Sequence, residues 1–277
     1  MRFTKMHGCG NDYVLVDAME NRIQDPASLA KEMCRRRFGI GADGLLLVFN
    51  SDNADFRMRM FNPDGSQAEM CGNGIRCFAK YIYDHGLKKS ETLKIETGNG
   101  VLDIELQIED GIASGATVMM GEPVLERSKI PVSGDGGQML DEPLEVEGET
   151  FNVTAVSMGN PHAVVFVDSL GDFQIGKFGP AFENHPMFPE RVNTNFAEVI
   201  SRGEVRVRTW ERGAGLTMAC GTGCAAVCVA GAMLDKTDRK LSIRVDGGVL
   251  GLEWRGDERV YLTGPAVEVF SGDYSVF

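Results

Sequence analysis

The sequence predicts an α/β protein built from two similar halves, and three observations carry that prediction. Slid along itself by 149 positions, the chain matches in order and without a gap. Gly10-Asn11 falls on Gly159-Asn160, Arg57-Met-Arg-Met-Phe61 on Arg206-Val-Arg-Thr-Trp210, and Cys71-Gly72-Asn73-Gly74 on Cys220-Gly221-Thr222-Gly223. Segments of alternating apolar and polar residues recur in both halves, the period of a strand with one buried face. In each half a strand leads through a short loop into Cys-Gly-x-Gly and then into a helical pattern. Chance spacing gives one such coincidence easily, but hardly three in order, so the chain is a structural duplication.

Taken in chain order, Tyr13–Asp17, Leu45–Phe49, Asp55–Phe61 and Val101–Ile108 read as strands of the first half. Ala163–Asp168, Glu204–Glu211, Leu241–Asp246 and Val260–Thr263 follow as strands further along. Pro26 to Arg37 reads as a short surface helix. After Cys71, the apolar residues Ile75, Phe78, Ala79 and Ile82 fall on one helical face, and Gly86 supplies the stop. After Cys220 the run to Leu234 reads as a buried helix. The uncharged stretch Ala214 to Leu234 is long enough to raise a membrane span, but small residues on every face suit enclosure by protein. The Pro- and Gly-rich run Gly121 to Gly148 interrupts the pattern and places a domain boundary nearby.

The 277 residues carry 28 basic against 40 acidic side chains, a net charge of −12 and a pI of about 4.9. An acidic surface argues against nucleic acid and anionic membrane partners, because phosphate binding needs a cationic face. Seven cysteines at this length are too few, and odd in number, for a disulfide scaffold. The first residues lack the apolar stretch of a signal peptide, so a cytoplasmic protein with reduced thiols is expected.

The duplicated Cys-Gly-x-Gly element carries the chemistry. Unpaired backbone N–H groups and the macrodipole at a helix start favour negative charge, on a thiolate or on a bound anion. The two glycines let backbone approach a ligand closely. If the halves face each other, a carboxylate sits between two helix starts and its α-carbon is flanked by Cys71 and Cys220. Inversion at carbon needs that arrangement: a base on one face, an acid on the other, and N–H groups to stabilise charge moving into the carboxylate. No cofactor is required in principle.

Competing uses of these residues are weaker. Most free cysteines are buried core residues, and that is the reading for Cys34, Cys77, Cys224 and Cys228. A zinc site lacks a Cys-x2-Cys knuckle, so no metal is expected. A Cys–His hydrolase built on His162 leaves the second Cys-Gly-x-Gly without a purpose, and an amino-acid binding protein has no need of two thiols.

These motifs resemble the diaminopimelate epimerase family over nearly the whole chain. The resemblance runs through Met6-His-Gly-Cys-Gly-Asn-Asp-Tyr13, Gly39-Ile-Gly-Ala-Asp-Gly44, Phe61-Asn-Pro-Asp-Gly-Ser66 and Cys71-Gly-Asn-Gly-Ile-Arg-Cys77. It continues through Gly159-Asn-Pro-His162, Arg191-Val-Asn-Thr-Asn195, Trp210-Glu-Arg-Gly213 and Ala219-Cys-Gly-Thr-Gly223. Two positions depart from the family pattern: Gly44 stands where Gln is common, and Cys9 where Leu is usual.

The resemblance implies two pseudo-symmetric α/β (α+β) domains, each a curved, barrel-like, mostly antiparallel sheet around a central helix, with the active site in the cleft between them. Residues 1–118 with 265–277 would form the half carrying Cys71, and residues 119–264 the half carrying Cys220. The implied activity interconverts LL- and meso-2,6-diaminoheptanedioate without pyridoxal phosphate or any other cofactor. Cys71 and Cys220 are the implied acid and base, tuned by His162 and Glu211. Gly72, Asn73, Gly221 and Thr222 would contact the reacting carboxylate. Asn11, Asn62, Asn160, Asn193 and Arg212 would hold the other polar groups, and Glu211 an ammonium. The shift by 149 supports these last roles, because Asn62 falls on Glu211 and Gly44 on Asn193. Proline and hydroxyproline racemases and a phenazine-biosynthesis isomerase share the duplicated fold. The cysteine pair disfavours the last, and the polar set suits a longer substrate than a proline ring. A homodimer is also implied.

Overall fold

A computed structural model describes residues 1–68 and 72–275, and the chain divides into two compact units, residues 1–119 with 263–277 and residues 120–262. The first unit opens with β1 (Arg2–Gly8) and β2 (Asn11–Asp17), an antiparallel hairpin, followed by α1 (Pro26–Met33). It continues through β3 (Gly44–Phe49), β4 (Phe56–Phe61), β5 (Gln67–Ala68), α2 (Gly72–Asp84), β6 (Thr92–Thr97), β7 (Gly100–Glu109) and β8 (Ile112–Gly121). The second unit holds β9 (Glu142–Val146), β10 (Glu149–Ser157), β11 (Pro161–Phe166), α3 (Ile175–Glu183), β12 (Asn193–Ser201), β13 (Glu204–Glu211) and β14 (Gly215–Thr217). It closes with α4 (Gly221–Met233), β15 (Lys240–Val245), β16 (Gly248–Trp254) and the start of β17 (Val260–Pro265). The last strand, β18 (Val267–Asp273), pairs antiparallel with β1 of the first unit.

The duplication holds at the level of strand register. β2 and β3 run parallel with Tyr13 opposite Gly44; β11 and β12 run parallel with His162 opposite Asn193, each partner moved by 149. Leu45 opposes Phe61 as Thr194 opposes Trp210, with the same displacement. A second parallel pair, β4 with β6, recurs as β13 with β15. Neighbouring strands such as β1 and β2, β6 and β7, β10 and β11, and β15 and β16 pair antiparallel. The helices α2 and α4 are thirteen residues each and begin at equivalent positions.

Each of these two helices packs against strands of its own unit. In the first unit α2 packs against β1, β2, β3, β4, β7 and β18, with Ile75, Phe78, Ala79 and Ile82 buried. In the second, α4 packs against β10, β11, β12, β15 and β16, with Gly223 through Gly231 all buried. A helix covered on every side needs no polar face, which explains its run of Ala, Val, Cys and Gly. Among the described residues no helix is long and apolar enough to cross a membrane.

The flanking helices also correspond, since α1 starts at Pro26 and α3 at Ile175, 149 positions on. Asp25 caps α1 by accepting from the Ser28 amide at 3.0 Å, and Pro26 fills the first helical position, where no N–H is needed. The helix ends at Met33, short of the expected Arg37, with Cys34 as its C-cap and the Cys34 amide on the Ala30 carbonyl. The expected boundary region 121–148 is not all loop, since it contains β9. α3 escapes a simple reading of periodicity because Gly176, Gly179 and Pro180 interrupt it. Gly179 is there for space: a Cβ on it would lie 2.5 Å from the Trp210 ring. α3 covers an aromatic core of Phe178, Phe182 and Phe196 with Phe151 and Phe173, whose rings meet at 4.7–6.1 Å. Each buried ring contributes roughly 2–3 kcal/mol by removal from water.

Candidate active site

In the second unit the site grows from the strand–turn–strand that precedes α4. β13 ends at Glu211, turns through residues 212–214, and returns as β14 with Glu211 opposite Gly215 and Thr209 opposite Thr217. That pairing sets the Thr217 hydroxyl to donate to Glu211 Oε1 at 2.6 Å. The Glu211 carboxyl lies near enough to the Cys220 thiol for its charge to act on it. Cys220 is the N-cap of α4, extended at φ −119° and ψ 107°, and buried. Its Sγ lies 3.6 Å from Thr222 Oγ1, with the Gly223 amide close by.

Electrostatics at this cysteine differ from the expectation for a helix start. Burial pushes the Cys220 thiol well above its ordinary range, and the adjacent Glu211 charge adds to the effect. The Thr222 hydroxyl and the Gly223 amide oppose this but do not overcome it. Glu211 is itself raised, chiefly by burial, against the lowering effect of Thr217 and Cys220. Cys220 therefore rests as a protonated thiol beside a carboxyl of elevated pKa, a pair between which one proton can pass.

Gly223 is dictated by its neighbour. A Cβ there would stand 2.2 Å from Asn195 Oδ1 and 3.3 Å from Cys220 Sγ. Gly221 is looser, its nearest neighbour being Leu262 Cδ1 at 3.3 Å. The second glycine of the motif thus makes room for a buried asparagine.

His162, on β11, is fully buried, and burial together with the positive charge of Arg212 pushes its imidazole down to about 3. Both ring nitrogens face amides: Nε2 lies 2.9 Å from Asn160 Oδ1, and Nδ1 lies 3.2 Å from Asn195 Nδ2. Asn193 is buried and ties the strand ends together, donating to Pro161 O at 2.9 Å and accepting from the Arg212 amide at 3.0 Å. The Arg212 guanidinium is exposed and donates to Glu190 O at 2.8 Å.

In the first unit, Cys71 lies outside the described residues; the structure resumes at Gly72, the first residue of α2. Asn73, buried in the first turn, donates to Asn11 Oδ1 at 2.8 Å and accepts from Arg76 at 2.9 Å. Arg76, fully buried, also donates to Gly72 O at 2.9 Å. Asn11 in turn donates to Asp43 at 3.0 Å. Asn62 closes its own turn, donating to Ser66 Oγ at 3.0 Å. Cys9 is buried in a left-handed turn at φ 52°, and burial raises its thiol despite Arg76 nearby. At Gly44 a Cβ would meet the Met60 methyl at 3.1 Å, so part of the space for a longer side chain is filled.

The second unit thus brings Cys220, Thr222 and Glu211 together, with Asn160 on His162; the first joins Asn11, Asn73 and Gly72. Four partners were not singled out from sequence: Thr217, Asn195, Thr209 and Arg76. Asn195 and Arg76 stood inside recognised motifs, but nothing in their spacing revealed which side chain each would hold. Among the described residues no group of three or more His, Cys, Asp or Glu side chains is placed to bind a metal.

The family model described as diaminopimelate epimerase matches residues 3–126 and 154–269. The chain is 54% identical to the diaminopimelate epimerase of Moorella thermoacetica over 276 residues, 99% of each chain. It is 50% identical to that of Acetivibrio thermocellus over 274 residues, 99% of this chain and 98% of the other. Among solved structures, a phenazine biosynthesis protein of the PhzF family from Bacillus anthracis superposes with a TM-score of 0.73 at 17% identity, covering 100% of this chain and 99% of that one. A hydroxyproline epimerase from Agrobacterium vitis, with bound trans-4-hydroxy-L-proline, gives 0.69 at 17% identity, covering 98% and 90%. These distant structures share the two-domain α/β fold expected from the sequence.

Proposed function

This chain belongs to the diaminopimelate epimerase family, isomerases that interconvert LL- and meso-2,6-diaminoheptanedioate, and we propose that it performs this inversion with Cys71 and Cys220 as its two bases and no cofactor. The observation that carries the proposal is the Cys220 thiol, buried at a helix start against Glu211. Cys71 enters through its equivalence to Cys220, since α2 begins one residue after it as α4 does after Cys220.

In the meso-to-LL direction, Cys220 acts as the acid in the protonated form in which burial holds it, while Cys71 abstracts the α-proton from the opposite face. In the LL-to-meso direction Cys220 must first ionise. Its proton passes to Glu211, whose raised pKa suits it to accept. The thiolate then removes the α-proton and Cys71 delivers one to the other face. Amides at the two helix starts, at Gly72, Asn73, Gly221 and Thr222, hold the reacting carboxylate and stabilise the charge it gains. Asn11, Asn62, Asn160, Asn193 and Arg212 hold the remaining polar groups of the diamino acid. Glu211 meets an ammonium, and His162, neutral in its buried setting, acts with Glu211 in tuning the thiols.

We place the enzyme in the cytoplasm, in lysine and peptidoglycan-precursor biosynthesis, as a homodimer. The acidic charge balance and the lack of disulfides among the described cysteines support the compartment, and the family resemblance supports the dimer. The test is a substrate comparison. Purified protein should convert LL-diaminoheptanedioate to the meso isomer, read by chiral chromatography, and leave L-proline and trans-4-hydroxy-L-proline unchanged. Racemised proline with untouched diaminoheptanedioate would overturn the assignment.

A further inference from the structure

Behind His162 lies a buried polar chain to which the proposed function gives no part. Thr209 Oγ1 donates to Asn195 Oδ1 at 3.0 Å. Asn195 Nδ2 lies 3.3 Å from the Ala163 carbonyl and 3.2 Å from His162 Nδ1. Thr209 is nearly and Asn195 fully buried, so neither has water as an alternative partner. His162 Nε2 then faces Asn160 Oδ1 at 2.9 Å.

One backbone carbonyl orients the whole chain. Ala163 O can only accept, so the amide edge facing it must be the NH2 of Asn195. The second hydrogen of that NH2 then points at His162 Nδ1, which must be an unprotonated acceptor. A neutral imidazole with a bare Nδ1 carries its hydrogen on Nε2. That hydrogen requires an oxygen, so the Asn160 amide is turned with Oδ1 inward and its NH2 outward. Asn160 is only half-buried, and among the described residues no group accepts from its Nδ2.

We propose that Thr209 and Asn195 are positioning residues that act through His162 to lock the Asn160 amide with its NH2 directed outward, as a donor for a carboxylate of the substrate. The inference rests on the assignment of Asn160 to substrate binding. It adds the reason that Asn160 presents a donor, and it selects a carboxylate of the diamino acid over an ammonium, which would need the amide oxygen. The first unit is alike only at the carbonyl of its equivalent asparagine, since the NH2 of Asn11 donates to Asp43 at 3.0 Å. Asn11, 149 positions before Asn160, has its Oδ1 occupied by Asn73, whose own Oδ1 is held by Arg76. In both units the side-chain carbonyl of the equivalent asparagine is engaged from behind.

The test has a substrate-free arm and a kinetic arm. In the unliganded protein, 15N chemical shifts of His162 should report a neutral ring protonated at Nε2 and bare at Nδ1; a ring protonated at Nδ1 would overturn the proposal. Thr209→Val removes the hydroxyl at nearly constant shape and Thr209→Ser restores it. Thr209→Val should raise KM for LL-diaminoheptanedioate about tenfold, the usual weight of one buried hydrogen bond, with kcat little changed. Thr209→Ser should recover most of the loss, and Asn195→Leu should add a mixture of His162 tautomers. Should the tautomer be as stated but KM stay unmoved in Thr209→Val and Asn160→Ala alike, the substrate role of Asn160 fails. If Asn160→Ala raises KM while Thr209→Val does not, the positioning role fails alone.

Discussion

The Thr217 hydroxyl donates to Oε1 of Glu211 at 2.6 Å and fixes, beside the Cys220 thiol, a carboxyl that burial pushes above its usual pKa. A folded-state pKa above the unfolded value means that the fold prefers the protonated acid. That preference stabilises fully below the ordinary carboxyl range and is lost as pH rises through the folded value. At neutral pH the ionised Glu211 therefore costs stability. Glu211→Gln should melt higher than the parent at pH 7, by about 1 kcal/mol, the size common when a functional site is relaxed. The difference should close near pH 4, while epimerisation falls about 10²-fold or more. Thermal denaturation at both pH values with a parallel activity assay checks this.

Gly223→Ala should be far worse than Gly221→Ala. The first Cβ would press within 2.2 Å of Asn195 Oδ1, which the Thr209 hydroxyl holds in place, whereas the second meets only Leu262 Cδ1 at 3.3 Å. Overpacking at Gly223 should cost about 1–3 kcal/mol in urea denaturation. Activity should fall with it, because Cys220 Sγ stands 3.3 Å from the same point. Equal tolerance of both alanines would contradict this packing.

His162 should leave a signature in acid. Its imidazole is pushed down to about 3, chiefly by burial, from an ordinary value of 6.5. A depressed folded pKa gives stability that is complete above the unfolded value and is lost as pH falls toward the folded one. Between pH 7 and pH 5 the parent should lose about 2 kcal/mol more unfolding free energy than His162→Gln, read from urea transitions at each pH. Matching slopes would mean that His162 is not held neutral.

Much of this fold was legible because a duplication writes its pattern twice. The shift by 149 located both central helices and, applied to α1, would also have located α3, which Gly179 and Pro180 concealed from periodicity. Strands such as β1, β10 and β12 escaped because the buried stretch of each is continuous rather than alternating and includes polar residues such as Lys5, Thr154 and Asn195. At the site, Cys-Gly-x-Gly was legible as a helix start because cysteine and glycine there have a local physical meaning. The protonated state of Cys220 was not, since it depends on burial and on Glu211, nine residues away in sequence and brought close by the β13–β14 turn. Asn195 and Thr209 were invisible as a pair because only the register of β12 against β13 sets them opposite each other.

The division of labour between two thiols is tested most directly by the fate of the α-proton. A single base that swings between faces can return the proton it removed. Two separate thiols cannot, because the abstracted proton leaves on one sulfur while the new one comes from the other, already equilibrated with solvent. During early turnover of LL-diaminoheptanedioate in deuterated water, the newly formed meso product should carry deuterium at the inverted α-carbon, while unreacted LL substrate stays protiated. Early meso product that retains the substrate's own hydrogen would contradict separate roles for Cys71 and Cys220.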